Sequence, residues 1–300
     1  MKTTRDLVLV LVLLTGCSSE TASPSDPGVK GTFFGNALVE LFPADQYATF
    51  SAQFFDAPPP PIHAVEVKQE GSGCQLLTPV TCDPVCGVDS YCSNEKRCVA
   101  RPAPIGIGTL TVAGLSGMTS PLDPMPPMNN YSGPTLQPFP PCTEGADVSV
   151  KSDKFNAGIK CITPLVLTGA VPIPVMSGQP AHFTWTPPGK AGISRVRIAL
   201  EIAHHGGYKG QIDCEVPDTG SFDIPASLVT GLVSRGLAGY PTVAVTRVSS
   251  SAGVNEPGAK LTMPSMVEVE VDTGVLSCGS LSSPPCPSGQ TCDDNLKICK

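Results

Sequence analysis

Two Asp-Thr-Gly triplets are the first residues of this 300-residue chain with the makings of chemistry. Asp218-Thr219-Gly220-Ser221 and Asp272-Thr273-Gly274 each set a carboxylate beside a glycine. Two carboxylates that share one proton can act together as acid and base in hydrolysis. The same tripeptide also builds an ordinary turn, because Asp accepts hydrogen bonds from nearby backbone and Gly takes positive φ. Imidazole is the second candidate. His204-His205-Gly206-Gly207 follows a strand pattern, and the chain adds only His63 and His182. Adjacent strand residues point to opposite faces, so His204 and His205 can share a metal only where that alternation breaks. A three-histidine zinc centre would need nearly all four to converge, and there is no His-Glu-x-x-His pattern. A glycine-opened loop facing solvent is the simpler reading. Ser93-Asn94-Glu95-Lys96 matches Ser-x-x-Lys, but between cysteines and over a span shorter than a helix needs. No nucleophile elbow, Walker loop or dinucleotide-binding glycine pattern is present.

The triplets resemble the motif that aspartic proteases carry once per lobe. That resemblance implies paired catalytic aspartates, and the flanking residues depart from it. Pro217 stands where the family has an apolar strand residue, Val275 replaces the expected Ser or Thr, and the spacing is too short for two lobes. Hairpin turns account for both triplets. The expectation is therefore a chain with no catalytic residue, cofactor or metal. Its alternative is a hydrolase or metal-binding protein centred on His204, His205, Asp218 and Asp272.

Thiols are the third chemistry. The chain has 13 cysteines, falling at Cys17, then Cys74, Cys82, Cys86, Cys92 and Cys98, then Cys142, Cys161 and Cys214, then Cys278, Cys286, Cys292 and Cys299. Structural zinc sites usually present a Cys-x2-Cys pair, and neither cluster contains one. Twelve cysteines apart from Cys17 fit disulfides in an oxidising compartment. Cys86-x5-Cys92-x5-Cys98 and Cys286-x5-Cys292-x6-Cys299 nearly repeat, as do Cys74-x7-Cys82 and Cys278-x7-Cys286. They resemble small secreted cysteine-rich repeats such as EGF-like modules. Those modules need six cysteines, so no calcium or receptor function carries over. A group of five cannot pair internally, so one bond must leave it, with Cys142 or Cys161 as the expected partner.

The first sixteen residues read as an export signal: Lys2 and Arg5, an apolar run from Leu7 to Leu14, then Leu14-Thr15-Gly16-Cys17. Eight apolar residues span about 12 Å as a helix against roughly 30 Å of bilayer core, so the run is an address and not an anchor. Leu14-Thr15-Gly16-Cys17 resembles the lipobox of bacterial lipoproteins, which implies cleavage before Cys17 and lipid on its sulfur. Ser18, not Asp, follows, and by the same resemblance this implies the outer membrane. Removing residues 1–16 leaves 17 basic and 25 acidic side chains, a net charge of −8. Phosphate binding draws on clustered Lys and Arg, so nucleic acid is excluded as partner. The partners expected are the membrane, through Cys17, and an envelope protein or glycan.

Positioning falls to strands. Charged residues make up 15 % and aromatics 5 %, with 33 prolines and 30 glycines, a composition suited to short strands and many turns. Residues 17–30 read as a disordered tether. Residues 31–162 read as a β-rich domain with a cysteine-rich insertion at 74–98, on the alternation of Phe50, Ala52 and Phe54, of Val65 and Val67, and of Leu110 and Val112. Pro58 to Pro61 is a connection, since proline donates no ladder hydrogen bond. Residues 163–277 read as a β-sandwich, resembling immunoglobulin-like envelope domains in pattern, with strands at Val196 to Ile202, Ile212 to Val216, Val243 to Val245 and Val267 to Val271. One helix is predicted after Pro225, with Leu228, Leu232 and Val233 on its buried face and Gly236 as its stop. Trp185 belongs to that core. Residues 278–300 form a C-terminal cysteine-rich module. The chain is thus expected to be all-β and to serve as a non-catalytic, lipid-anchored envelope component that binds or supports a partner, or as a subunit of a larger assembly.

Overall fold

The computed structural model describes residues 32–205, 207–237, 239–276, 278, 285–293, 295–296 and 298–300. The expected signal peptide, Cys17 and the expected tether lie outside the described residues. Within them, β1 (Phe34–Phe42) and β2 (Tyr47–Phe55) form a hairpin. A second hairpin joins β3 (Val65–Gly71) to β4 (Cys74–Pro79) through Ser72 and Gly73, both at positive φ. Short strands follow: β5 (Ser90–Cys92), β6 (Cys98–Ala100), β7 (Pro104–Ile105), β8 (Thr111–Ala113) and β9 (Tyr131–Ser132). Next come the hairpin of β10 (Asp147–Lys151) and β11 (Asn156–Lys160), then β12 (Ile173–Pro174) and β13 (Ala181–Thr184). The body ends with β14 (Arg195–His205), β15 (Gln211–Pro217), β16 (Ser221–Ile224), α1 (Ala226–Val233), β17 (Gly239–Ala252) and β18 (Ala259–Asp272). β19 (Cys292–Asp293) and β20 (Ile298–Cys299) make a last small hairpin.

The protein is all-β, and its main sheet runs through both halves of the chain in the order β3-β4-β15-β14-β17-β18-β1-β2-β7. Register makes one face of this sheet dry from β4 to β2. Ile198 lies opposite both Cys214 and Val245, Val245 opposite Val267, Leu261 opposite Ala37, and Ala37 opposite Ala52. Because side chains alternate with a period of two, these residues share one side. Two smaller layers cover it. The sheet β11-β10-β8 closes one core with Val148, Val150, Val112 and Ile159 against Phe50, Phe54 and Leu261. The pair β13-β16 and α1 close the other, with Phe183, Trp185, Ile224 and Leu228 against Ile198, Val243 and Val245. Each such side chain contributes roughly 1.5–3 kcal/mol on full burial. Val229, not Val233, joins Leu228 and Leu232 as the fully buried face of the helix.

Six disulfides use all twelve cysteines from Cys74 onward. The bond that leaves the first group does not run to Cys142 or Cys161, which pair with each other. It joins Cys74 to Cys214, register partners on the neighbouring strands β4 and β15. Sequence distance suggested the nearer partner, and sheet order chose the farther one. This also corrects how the repeats align. Cys74 belongs to the sheet, so one knot is Cys82–Cys92 with Cys86–Cys98 and the other is Cys278–Cys292 with Cys286–Cys299. Both connect first to third and second to fourth. In each, the last two cysteines face each other across a hairpin, Cys92 opposite Cys98 and Cys292 opposite Cys299.

Each knot is tied to the body by its hairpin loop. Asn94 Oδ1 accepts a 2.9 Å hydrogen bond from Val65 N at the start of edge strand β3. In the second knot Leu296 lies against Gly236, which has φ +79 and where an added Cβ would sit 2.4 Å from the Leu296 carbonyl oxygen. Gly236→Ala is expected to cost about 1–3 kcal/mol through backbone strain and displacement of that loop. Chemical denaturation checks this, and an unchanged midpoint would mean that the contact contributes nothing.

Candidate functional site

The opposite face of the main sheet is wet, and it carries a groove of about 530 Å3 where the β3–β4 turn stands beside β15 and β14. Outward residues of three strands line it: Gln75 opposite Asp213, Asp213 opposite Ala199, and Glu215 opposite Arg197. Two arginines converge on one carboxylate, with Arg195 Nε 2.8 Å and Arg197 Nε 3.3 Å from the oxygens of Glu215. Gln75 Nε2 donates to Glu70 Oε1 at 2.8 Å, and Gln211 Nε2 donates to Asp213 Oδ1. The groove presents donors and acceptors of both charges around a small alanine floor. Such a lining suits recognition of a polar ligand by hydrogen bonds, and it includes no Ser, Cys or Lys paired with a base.

Asp218 is placed elsewhere, and its carboxylate is committed. It lies on the dry side at the joint between the two cores, with its side chain and that of Arg247 both 1 % exposed. Arg247 Nε donates to Asp218 Oδ2 at 2.6 Å, Ser194 Oγ donates to Oδ2 at 2.6 Å and Trp185 Nε1 donates to Oδ1 at 2.7 Å. The remaining guanidinium hydrogens reach the carbonyls of Thr163, Pro164 and Thr186. Burial alone would raise the Asp218 pKa, but the Arg247 and Ser194 hydrogen bonds, the Arg247 charge and the Trp185 indole together hold it below the usual carboxylate value. A carboxylate so held is a poor proton acceptor and has no free lone pair facing a substrate.

Asp272 does not approach it. Arg247 lies opposite Ser265 on β18, and Asp272 follows seven residues later on the same strand, roughly 23 Å along it at 3.3 Å per residue. Asp272 Oδ1 accepts from Gly274 N at 2.9 Å, the turn that the tripeptide predicts. The two carboxylates therefore cannot share a proton. Ser93 and Lys96 likewise close a hairpin turn, through Lys96 N donating to the Ser93 carbonyl at 2.9 Å.

His182 Nδ1 lies 2.5 Å from Asp223 Oδ1 on the outward side of the pair β13-β16. His63 stacks on Tyr208, with centroids 4.2 Å apart, and burial lowers its pKa. Burial also pushes the Tyr208 phenol above its usual range. The backbones of His204 and His205 pair with Tyr240 and Gly239, and the register shifts between Glu201 and His204. The shift comes before the pair, and His204 and His205 then follow consecutive register, so the backbone alternation that would keep them from sharing a metal is not broken between them. Their side chains lie outside the described residues. Among the described residues, the close triples of metal-ligating atoms are Cys82, Cys86 and Cys92 and Cys278, Cys286 and Cys299, whose sulfurs are bridged and present no thiolate.

Sequence reading missed Arg247 and Ser194 altogether, and it missed the groove. One signal was available for the first. Arg247 is the only charged residue on the inward parity of β17, in line with Val243 and Val245, and an inward charge demands a partner. No protein-family model matches the chain, and no curated protein matches it either.

Proposed function

We propose that the protein is a lipid-anchored component of a bacterial cell envelope, held at the outer membrane through Cys17, and that it works as a non-catalytic binding or structural module. The observation that carries the reading is the cysteine account. Every cysteine from Cys74 onward is bridged within the chain, which leaves Cys17 alone in Leu14-Thr15-Gly16-Cys17 with a different fate. Six bridges also require an oxidising compartment, as an export signal would supply. The non-catalytic part rests on the separation of Asp218 from Asp272 and on the committed carboxylate of Asp218. A rigid sheet with a polar groove on its open face supports recognition of an envelope protein or glycan.

Expressed in a Gram-negative host, the wild type should partition into detergent and carry lipid-derived mass on its first residue, and Cys17→Ser should do neither. Identical behaviour of the two would refute the anchor. The binding reading is checked by pull-down from envelope extract with the soluble domain beside its Asp218→Asn, Asp272→Ala, His204→Ala, His205→Ala variant. Partner capture that survives all four changes supports it, whereas turnover of a peptide, ester or glycoside by the wild type and not by the folded variant would overturn it.

A further inference from the structure

We propose that the first knot and the β17–β18 loop form a second membrane contact, seated on the lipid surface that holds Cys17; this rests on the anchor reading above. The three most exposed large apolar side chains among the described residues are Val85 and Val88, each 89 % exposed, and Val254, 73 % exposed. All three flank the point where the segment from Cys17 joins the folded body. On one side, Thr32 is gripped by the β17–β18 loop: its N and Oγ1 donate to Glu256 Oε2 and Oε1 at 2.8 and 2.6 Å, and Val254 is two residues from Glu256. On the other side, Phe34 pairs with Phe55 and Phe55 with Pro104. Three residues earlier, Arg101 N donates to the Asp89 carbonyl at 3.0 Å and Arg101 Nε donates to the Val88 carbonyl at 3.3 Å. With about 5 Å per strand pairing and 3.4 Å per residue, this path sets Val88 within roughly 35 Å of Thr32.

The fifteen peptide steps from Cys17 to Thr32 reach at most about 50 Å, so of the described body it is this rim that the tether ties directly to the bilayer. Charge permits the approach. Residues 82–101 carry Asp83, Asp89 and Glu95 against Lys96, Arg97 and Arg101, so the knot holds none of the acidic excess that an anionic headgroup layer would repel. Disulfides Cys82–Cys92 and Cys86–Cys98 fix the valines in place, so seating them orders little that is mobile. Single aliphatic side chains on separate loops around an anchor suit a lipid surface, whereas a protein partner would call for clustered aromatic or arginine anchors. The far end of β18 lacks this relation to the tether. Val171, 57 % exposed, stands two residues before Ile173, which pairs with Val271. Val271 is about 40 Å along β18 from Ala259.

The test uses the lipidated full chain in vesicles of phosphatidylethanolamine and phosphatidylglycerol. An environment-sensitive fluorescent residue is placed at position 88, 254 or 171, and quenching by headgroup spin-labelled lipid is read. Quenching at 88 and 254 should exceed that at 171 at least threefold, and Val85→Asp with Val88→Asp should bring the signal at 254 down to that at 171. Equal quenching at the three positions on a chain whose mass shows the lipid overturns this contact alone. Quenching at 88 by a spin-labelled second copy of the chain, and not by lipid, overturns it in favour of self-association. A chain without lipid mass overturns the anchor reading and this contact together.

Discussion

Replacing Cys74 and Cys214 together, as Cys74→Ala with Cys214→Val, should lower the unfolding free energy by about 5 kcal/mol, the largest loss expected from any one bridge. The bond closes a span of 140 residues, against 10 to 19 for the other five. Chain-entropy arguments place the short bridges near 3 kcal/mol each. The long one also fastens β4, and with it the β3–β4 turn that walls the groove, to β15, the third strand from that edge of the sheet. Both cysteines are buried, so the valine and alanine keep an apolar contact where the sulfurs were. Urea denaturation of this variant beside Cys142→Ala with Cys161→Ala measures the difference. Equal losses in the two would show that loop length is not what the bond contributes.

Arg247→Ala should cost about 3–5 kcal/mol, because it leaves the Asp218 carboxylate buried without its cation. The guanidinium also holds the carbonyls of Thr163, Pro164 and Thr186, which join the two cores, so its loss leaves acceptors bare at the joint. Arg247→Met with Asp218→Leu should retain more stability than Arg247→Ala, since no lone charge remains. The depressed Asp218 pKa gives a pH signature. The ion pair contributes its full stability above the ordinary carboxylate pKa of 3.8, and that contribution is lost as the pH falls from there through the lower native value. Asp218→Asn should flatten the wild-type decline in that window. A decline of unchanged steepness would assign the acid sensitivity to other carboxylates.

Composition and period-two alternation were enough to identify the all-β class and most of the strands. Val196 to Ile202, Ile212 to Val216 and Val267 to Val271 occupy β14, β15 and β18, because a half-buried strand writes its two faces into alternate residues. Pro225 and Gly236 bracketed the helix for a similar reason, since backbone constraints at its ends are local. The two knots were visible as repeated spacings because each closes within a short segment. The partner of Cys74 was not, and neither was the partner of Asp218. Both depend on which strands become neighbours, and β4 meets β15 only through a sheet order that follows no sequence proximity. The Asp-Thr-Gly triplets show the same divide. The local turn is made only at Asp272, which accepts from Gly274 N. Neither triplet closes the expected hairpin, because β15 pairs with β14 and β4 while β16 pairs with β13, and no later strand among the described residues pairs with β18. Only the tertiary structure decided that one carboxylate would face solvent and the other would be enclosed by Arg247, Ser194 and Trp185. Burial and pairing across distant segments arise from packing, and packing is a property of the whole chain.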